Sequence, residues 1–263
     1  MKKFAVSLVA MLLMLCAALP CFAETPAGVL PVIRMEQQKQ EFRNEKGQVC
    51  IVTDYNRLLV KNREAFPALA EALEAKHNRV WQEKLAADLE ASKPDALELK
   101  KYRPEDYMHF LLEERLTQIY SDLNVISFAG EFYQNRGGAR PLVEFYGYNF
   151  NPVTGKLYVL DDALAPGQRN SFLQNAVKPE LARINKEEGR YFYENYHAIV
   201  DDLFARDLRG EKPLQWVWNG SGVRLYFDPD VLAPGIAGVV EVFVPADRFR
   251  SMFNESFVNP PQP

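Results

Sequence analysis

The apolar and polar positions from Val32 to Phe42 and from Val49 to Val60 read as two strands, and Asn44 to Gly47 between them reads as a turn, so a hairpin is expected. From Phe66 the period changes. Leu69, Leu73, Val80, Trp81, Leu85 and Leu89 fall on one face of an amphipathic helix about 25 residues long, interleaved with Glu, Lys and Arg. Ser92-Lys93-Pro94 is expected to end it, because proline disfavours the helical conformation of the residue before it.

Strand signals then dominate. Phe110 to Tyr120 and Val125 to Gln134 read as adjacent strands, Leu142 to Phe150 as a third, and the turn Asn151 to Lys156 leads into a short fourth at Leu157 to Leu160. Asn170 to Asn185 returns to a helical period that Pro179 should break or kink, and a second helix is expected around Tyr196 to Arg206. Strands at Leu214 to Trp218, Val223 to Phe227 and Gly238 to Val244 follow, then a short helix from Pro245 to Phe253 and a frayed tail from Val258. Strand runs and helix runs segregate, which predicts an α+β fold, an antiparallel sheet packed with several helices. The polar stretch from Ala91 to Asp106 carries two prolines and marks the expected boundary between a small N-terminal α/β subdomain, 24–105, and a C-terminal α+β domain, 106–258, with a tail at 259–263.

The first residues bear on compartment. Lys2 and Lys3 precede the apolar run Phe4 to Leu19, and Cys21 and Ala23 occupy the −3 and −1 positions of a cleavage site, the layout of a secretory signal peptide over 1–23. The run is shorter than the roughly 20 residues a bilayer span needs, so a cleaved, periplasmic or secreted chain beginning at Glu24 is expected, with no stable membrane span after cleavage. Two of the three cysteines leave with the signal. Cys50 alone makes no internal disulfide and is expected as a small buried hydrophobe in a strand.

Removing Lys2 and Lys3 from the 31 basic residues leaves 29 against 35 acids, a net charge of −6. With no basic stripe to offset that sign, nucleic acid is not expected as a partner, nor is an anionic membrane surface. His77, His109 and His197 stand alone in sequence, without the spacing of a zinc site, so neither metal nor cofactor is expected. Gly220-Ser221-Gly222 lacks the nucleophile-elbow pattern and reads as a hairpin turn. Glu113-Glu114, Asp161-Asp162, Asp201-Asp202 and Asp228 with Asp230 are acid pairs that a glycosidase could use, but sequence neighbours do not establish the separation across a cleft that such chemistry needs. No catalytic residue is assigned.

Two features stand above this background. Arg136-Gly137-Gly138-Ala139-Arg140-Pro141 is a small, doubly charged loop between aromatic strands, followed by Phe145, Tyr146, Tyr148 and Phe150. Glycines let a ligand approach the backbone, and aromatics beside an arginine are frequent binding hot spots, which makes Gly137, Gly138, Arg140, Tyr146 and Tyr148 the candidate ligand-binding residues. The alternative is that the glycines only make the turn and the aromatics only fill the core. Trp216 and Trp218 share a face of one strand, where core packing is expected ahead of sugar stacking.

The ordered set Val125-Ile126-Ser127-Phe128, Gly137-Gly138-Ala139, Tyr148-Asn149-Phe150, Thr154-Gly155-Lys156, Leu160-Asp161-Asp162, Phe227-Asp228-Pro229 and Ala233 to Gly238 resembles a bacterial extracytoplasmic domain of unknown function. That domain forms the outer part of the RsiV anti-sigma factor and accompanies the deacetylase domain of PdaC-type enzymes. The likeness covers about Phe110 to Phe249, and Pro31 to Trp81 looks like the smaller domain that usually precedes it. Arg140 stands where the family's Gly-Gly-Ala is commonly followed by histidine, a departure at any site built on that imidazole. In RsiV the region binds lysozyme, so the resemblance implies a non-catalytic binding or sensing module whose partner is lysozyme or a peptidoglycan fragment. A cell-wall hydrolase of unrecognised type and a structural envelope protein are the alternatives.

Overall fold

The computed structural model describes residues 28–105, 109–138, 140–187, 189 and 191–259. The expected signal peptide, 1–23, and residues 260–263 of the expected tail lie outside them. Strands β1 (Ile33–Arg43) and β2 (Val49–Val60) form the expected hairpin, closed by a turn in which Asn44 Oδ1 accepts from the N–H groups of Lys46 and Gln48. Strands β3 (Phe110–Ser121), β4 (Ile126–Asn135) and β5 (Leu142–Phe150) follow as an antiparallel meander. All five share one sheet in the order β1-β2-β3-β4-β5, so a single sheet crosses the stretch that composition marks as a boundary.

The fold is α+β, and its large sheet is mixed rather than purely antiparallel, because β2 and β3 pair in parallel over Ile51–Asp54 and Phe110–Glu113. A parallel pair needs a long crossover. Here that crossover is helical: α1 (Pro67–Leu73), a π turn (Glu74–Asn78) and α2 (Arg79–Tyr102). The expected stop at Pro94 does not occur. Pro94 cannot donate to the carbonyl four residues back, yet it is exposed and sits inside α2, which continues because Ala96 is buried against Cys50, Ile51 and Phe110. Cys50 is a buried residue of β2, as expected.

Residues Leu157–Leu160 do not form a strand. Leu157 makes one bridge to Phe150, and Leu160 instead opens the short helix α3 (Leu160–Ala163), where Asp162 Oδ2 accepts from the Val159 N–H. Next come α4 (Arg169–Phe172), a second π turn (Leu173–Val177) and α5 (Lys178–Glu187). Pro179 does not break this helix, because the π turn just ahead of it has already displaced the regular i→i−4 bonding, with the Lys178 N–H donating to the Leu173 carbonyl, at the point where the proline lacks a donor. Helix α6 (Tyr196–Leu208) precedes β6 (Gln215–Trp218), β7 (Gly222–Phe227) and β8 (Val240–Pro245), an antiparallel three-stranded sheet.

The expected helix over Pro245 to Phe253 is only a 3₁₀ turn at Arg250–Met252, and the true terminal helix, α7 (Glu255–Val258), falls partly in the expected tail. Phe253 and Phe257 hold it down. Both are buried, and both rings lie against Trp218.

Two apolar clusters fill the space between α1–α2 and the five-stranded sheet, and the largest lies between the three-stranded sheet and α3 to α7. The sheets meet at β5 and β6. An added Cβ at Gly147 would lie 2.1 Å from the Trp216 carbonyl oxygen, so only glycine permits this approach. Buried Asn149 joins the sheets: its Oδ1 accepts from Ser127 Oγ (2.8 Å) and the Trp218 N–H (2.8 Å), while its Nδ2 donates to the Trp216 carbonyl (2.9 Å).

Candidate ligand-binding site

Alternate residues of a strand share one side of its sheet, and β5 carries two of the candidates, Tyr146 and Tyr148, on the same side. Tyr146 and Tyr148 point to the helix layer, where the Tyr146 ring lies 5.1 Å from that of Trp81 and the Tyr148 ring meets His77 edge-on at 5.7 Å. Arg140 does not join them. It lines an open groove of about 520 Å³ with Pro141, Leu142, Phe145, Asp230 and Ile236, while Gly137, with φ +76°, lies near Leu99 and Phe110. The left-handed backbone at Gly137 accounts for that glycine as a turn residue, its N–H bonded to Asn135 Oδ1, whereas Gly138 shows no such angle.

The groove is apolar with one cation. Leu142 is 50 % exposed and Ile236 87 % exposed, and Phe145 stacks on Tyr226 with ring centres 6.0 Å apart. Among the described residues Arg140 has no carboxylate partner. Asp230, at a left-handed φ of 66°, is exposed, and its carboxylate accepts from the Gly235 N–H. Asp228 accepts from the Phe145 N–H at 2.7 Å, and burial lifts its pKa above the ordinary carboxylate value against that bond. The loop carrying Asp230 and Ile236 is a part of the groove that the candidate ligand-binding residues do not include.

On the helix side lies Glu114, half of the acid pair Glu113-Glu114. Glu114 is 1 % exposed; one carboxylate oxygen accepts from the Asn56 N–H at 2.8 Å and the other from the Tyr146 hydroxyl. Desolvation pushes its pKa up to about 7, opposed by those bonds and helped by the nearby charge of Asp54. The signal was present: Phe110, Leu112, Glu114 and Leu116 share one parity, all buried, so the glutamate occupies an inward position.

His77 is fully buried, with Nε2 2.8 Å from the Asn56 carbonyl, and burial lowers its pKa to about 4. Beside it, Asn78 accepts from the Leu58 N–H (2.8 Å) and donates to the Leu58 carbonyl (2.9 Å). Glu114, His77 and Asn78 thus serve β2 where its pairing with β3 stops. The first π turn supplies two of the three.

The remaining acids have partners. Asp161 pairs with Arg169 at 2.6 Å, Asp162 with Lys156 at 2.6 Å, Asp201 with Lys178 at 2.6 Å and Glu113 with Arg115 at 2.8 Å. Trp216 and Trp218 are core residues, and Gly220 to Gly222 is the hairpin turn expected of it. No group of three or more His, Cys, Asp or Glu able to hold a metal occurs among the described residues.

Solved structures of DUF3298 family proteins share the architecture. One is a member of the DUF3298 family from Bacteroides fragilis NCTC 9343, 12 % identical over 88 % of this chain and 96 % of that chain, with a TM-score of 0.56. Another is a DUF3298 family protein from Pseudomonas aeruginosa PAO1, 16 % identical over 86 % of this chain and 96 % of that chain, with a TM-score of 0.54. What they share with this chain is the fold. No protein-family model and no curated protein matches the sequence. The similarity spans both sheets, and it supports a domain fold whose function is uncharacterised, with the resemblance to the RsiV and PdaC type a finer matter of function.

Proposed function

We propose that this chain is an exported, non-catalytic binding module whose recognition surface is the groove beside the Gly137 to Pro141 loop, with a peptidoglycan fragment or a wall-directed protein such as lysozyme as its partner. The observation that carries the reading is Arg140, a guanidinium without a carboxylate partner among the described residues, beside the exposed side chains of Leu142 and Ile236. An arginine next to apolar and aromatic surface can anchor a partner through a carboxylate while the apolar wall loses water. The export signal in residues 1–23 and the resemblance to the RsiV outer domain support the choice of partner class.

Calorimetric titration of the purified protein against soluble peptidoglycan fragments and against lysozyme, with mass analysis of the same samples, tests this. Saturable heat without cleavage, weakened by Arg140→Ala at unchanged thermal stability, is expected. Cleavage products would replace the module with a hydrolase. Binding indifferent to Arg140→Ala would move the surface elsewhere.

A further inference from the structure

The hairpin turn between β1 and β2 is fastened to the exit of α2 by Gln48 Nε2, which donates to the Pro104 carbonyl at 2.9 Å, and within that exit Lys100 Nζ donates to the Glu105 carbonyl at 2.6 Å. Between turn and exit is a groove of about 520 Å³ lined by Phe42, Arg43, Lys46, Leu97, Lys100 and Lys101, among others. Glu45 is its one acid against these four cations. Such a concentration of positive charge is unusual on a chain of net charge −4.

The negative end of a helix dipole accounts for Lys100 and Lys101 in the last turn of α2. It does not account for Lys46, which belongs to the turn of another element and has no ion-pair partner among the described residues, as Lys101 also has none. Lys100 adds a second observation. It is 5 % exposed and its ammonium, a three-hydrogen donor, meets a single described acceptor, a neutral carbonyl. A nearly buried cation without a carboxylate is costly unless something anionic completes it. The partner must also tolerate the apolar wall of Phe42 and Leu97.

We infer that this groove is an anion site for a phosphate-bearing ligand, held by Lys46, Lys100 and Lys101 with Arg43 at its edge. Lysine ammoniums act as point charges toward phosphate, and a multiply charged group can satisfy several at once. Arg43 contributes less, since it is already paired with Glu41 at 2.6 Å. The site is separate from the Arg140 groove and does not rest on its assignment.

Pyrophosphate titrated into the purified protein at low salt tests this, alongside sedimentation with phosphatidylcholine vesicles made with and without phosphatidylglycerol. Saturable binding is expected, weakened about tenfold or more by the double change Lys46→Glu, Lys101→Glu, partly by Lys46→Gln, Lys101→Gln, and not at all by Arg140→Ala. Both lysines are exposed, so matched thermal melting checks that the variants fold. Uptake only by phosphatidylglycerol vesicles, lost in the charge-reversed protein, would make a lipid headgroup the source of the phosphate; pyrophosphate binding without vesicle uptake would make it a soluble ligand. Absence of binding in both arms, or binding undiminished by reversal of the two lysines, overturns the site.

Discussion

The Tyr146 hydroxyl donates to the carboxylate of Glu114 beneath α2, and it reaches there over Gly130, its directly opposed residue on β4. A Cβ on Gly130 would sit 2.2 Å from the Tyr146 ring. Gly130→Ala should therefore destabilise the fold by about 2–3 kcal/mol. Combined with Tyr146→Ala, which removes the obstructing ring, the alanine should cost much less than alone. Urea unfolding of the four proteins in this cycle measures the coupling; strictly additive losses would show that the ring is not what excludes a side chain at 130.

Glu114 and His77 give opposed pH dependences. Glu114 binds its proton more tightly folded, with a pKa near 7 against 4.5, so its contribution is full below about pH 4.5 and is lost as pH rises through about 7. His77 is held neutral, with a pKa near 4 against 6.5, so its contribution is full above about pH 6.5 and is lost as pH falls through about 4. Each shift corresponds to stability on the order of 3 kcal/mol, with opposite slopes between about pH 4.5 and 6.5. Glu114→Gln should make stability fall more steeply on acidification than in the parent protein, and His77→Gln should make it fall more steeply as pH rises. Superimposable stability profiles for parent and Glu114→Gln would remove Glu114 from the account.

Asn149 is the polar joint between the sheets. Asn149→Ala leaves the Trp218 N–H, the Trp216 carbonyl and the Ser127 hydroxyl without their partner in a dry interior. A loss of about 3 kcal/mol is expected, since each orphaned buried group costs roughly 1–3 kcal/mol and water can recover some of it. Ser127→Ala, which removes only one of the three bonds, should cost about 1 kcal/mol. Equal losses for the two variants in chemical denaturation would contradict the joint.

Pro94 lies exposed in the interior of α2. Pro94→Ala restores a backbone donor and relieves the ring, and should raise stability by about 1–2 kcal/mol after the greater freedom of the unfolded alanine chain is counted. A lower melting temperature would mean that the proline has a packing role.

Much of this architecture is legible in periodicity, and the exceptions have physical causes. The alternation of β1 to β5 and the apolar stripe of α1–α2 are local patterns that appear where expected, except that Val80, just past the π turn, is 45 % exposed. Pro94 misleads because its local cost is outweighed by the burial of Ala96 farther along the same helix, which exists only after folding. Leu157 has a strand's company but only one bridge. The parallel step from β2 to β3 is invisible in either strand alone, since it is made by the helical crossover between them. At the candidate site, the loop from Gly137 and the tyrosines of β5 are close in sequence, yet Arg140 lies in the loop before β5 begins, outside the alternation that turns Tyr146 and Tyr148 to the helix layer. Ile236 is too far along the chain to be associated with Arg140 before the tertiary structure is known. Glu114 could have been found from parity alone.

The outward edge of β5 faces β6 without a regular ladder between the sheets. Its donors are taken instead by side chains: Asp228 receives the Phe145 N–H and the Gln215 side-chain oxygen receives the Gly147 N–H. A carboxylate and an amide thus stand in for the carbonyls of a missing neighbour strand. To another extended chain this edge presents itself as already paired, so the five-stranded sheet can lie beside β6 to β8 without becoming a template for uncontrolled growth.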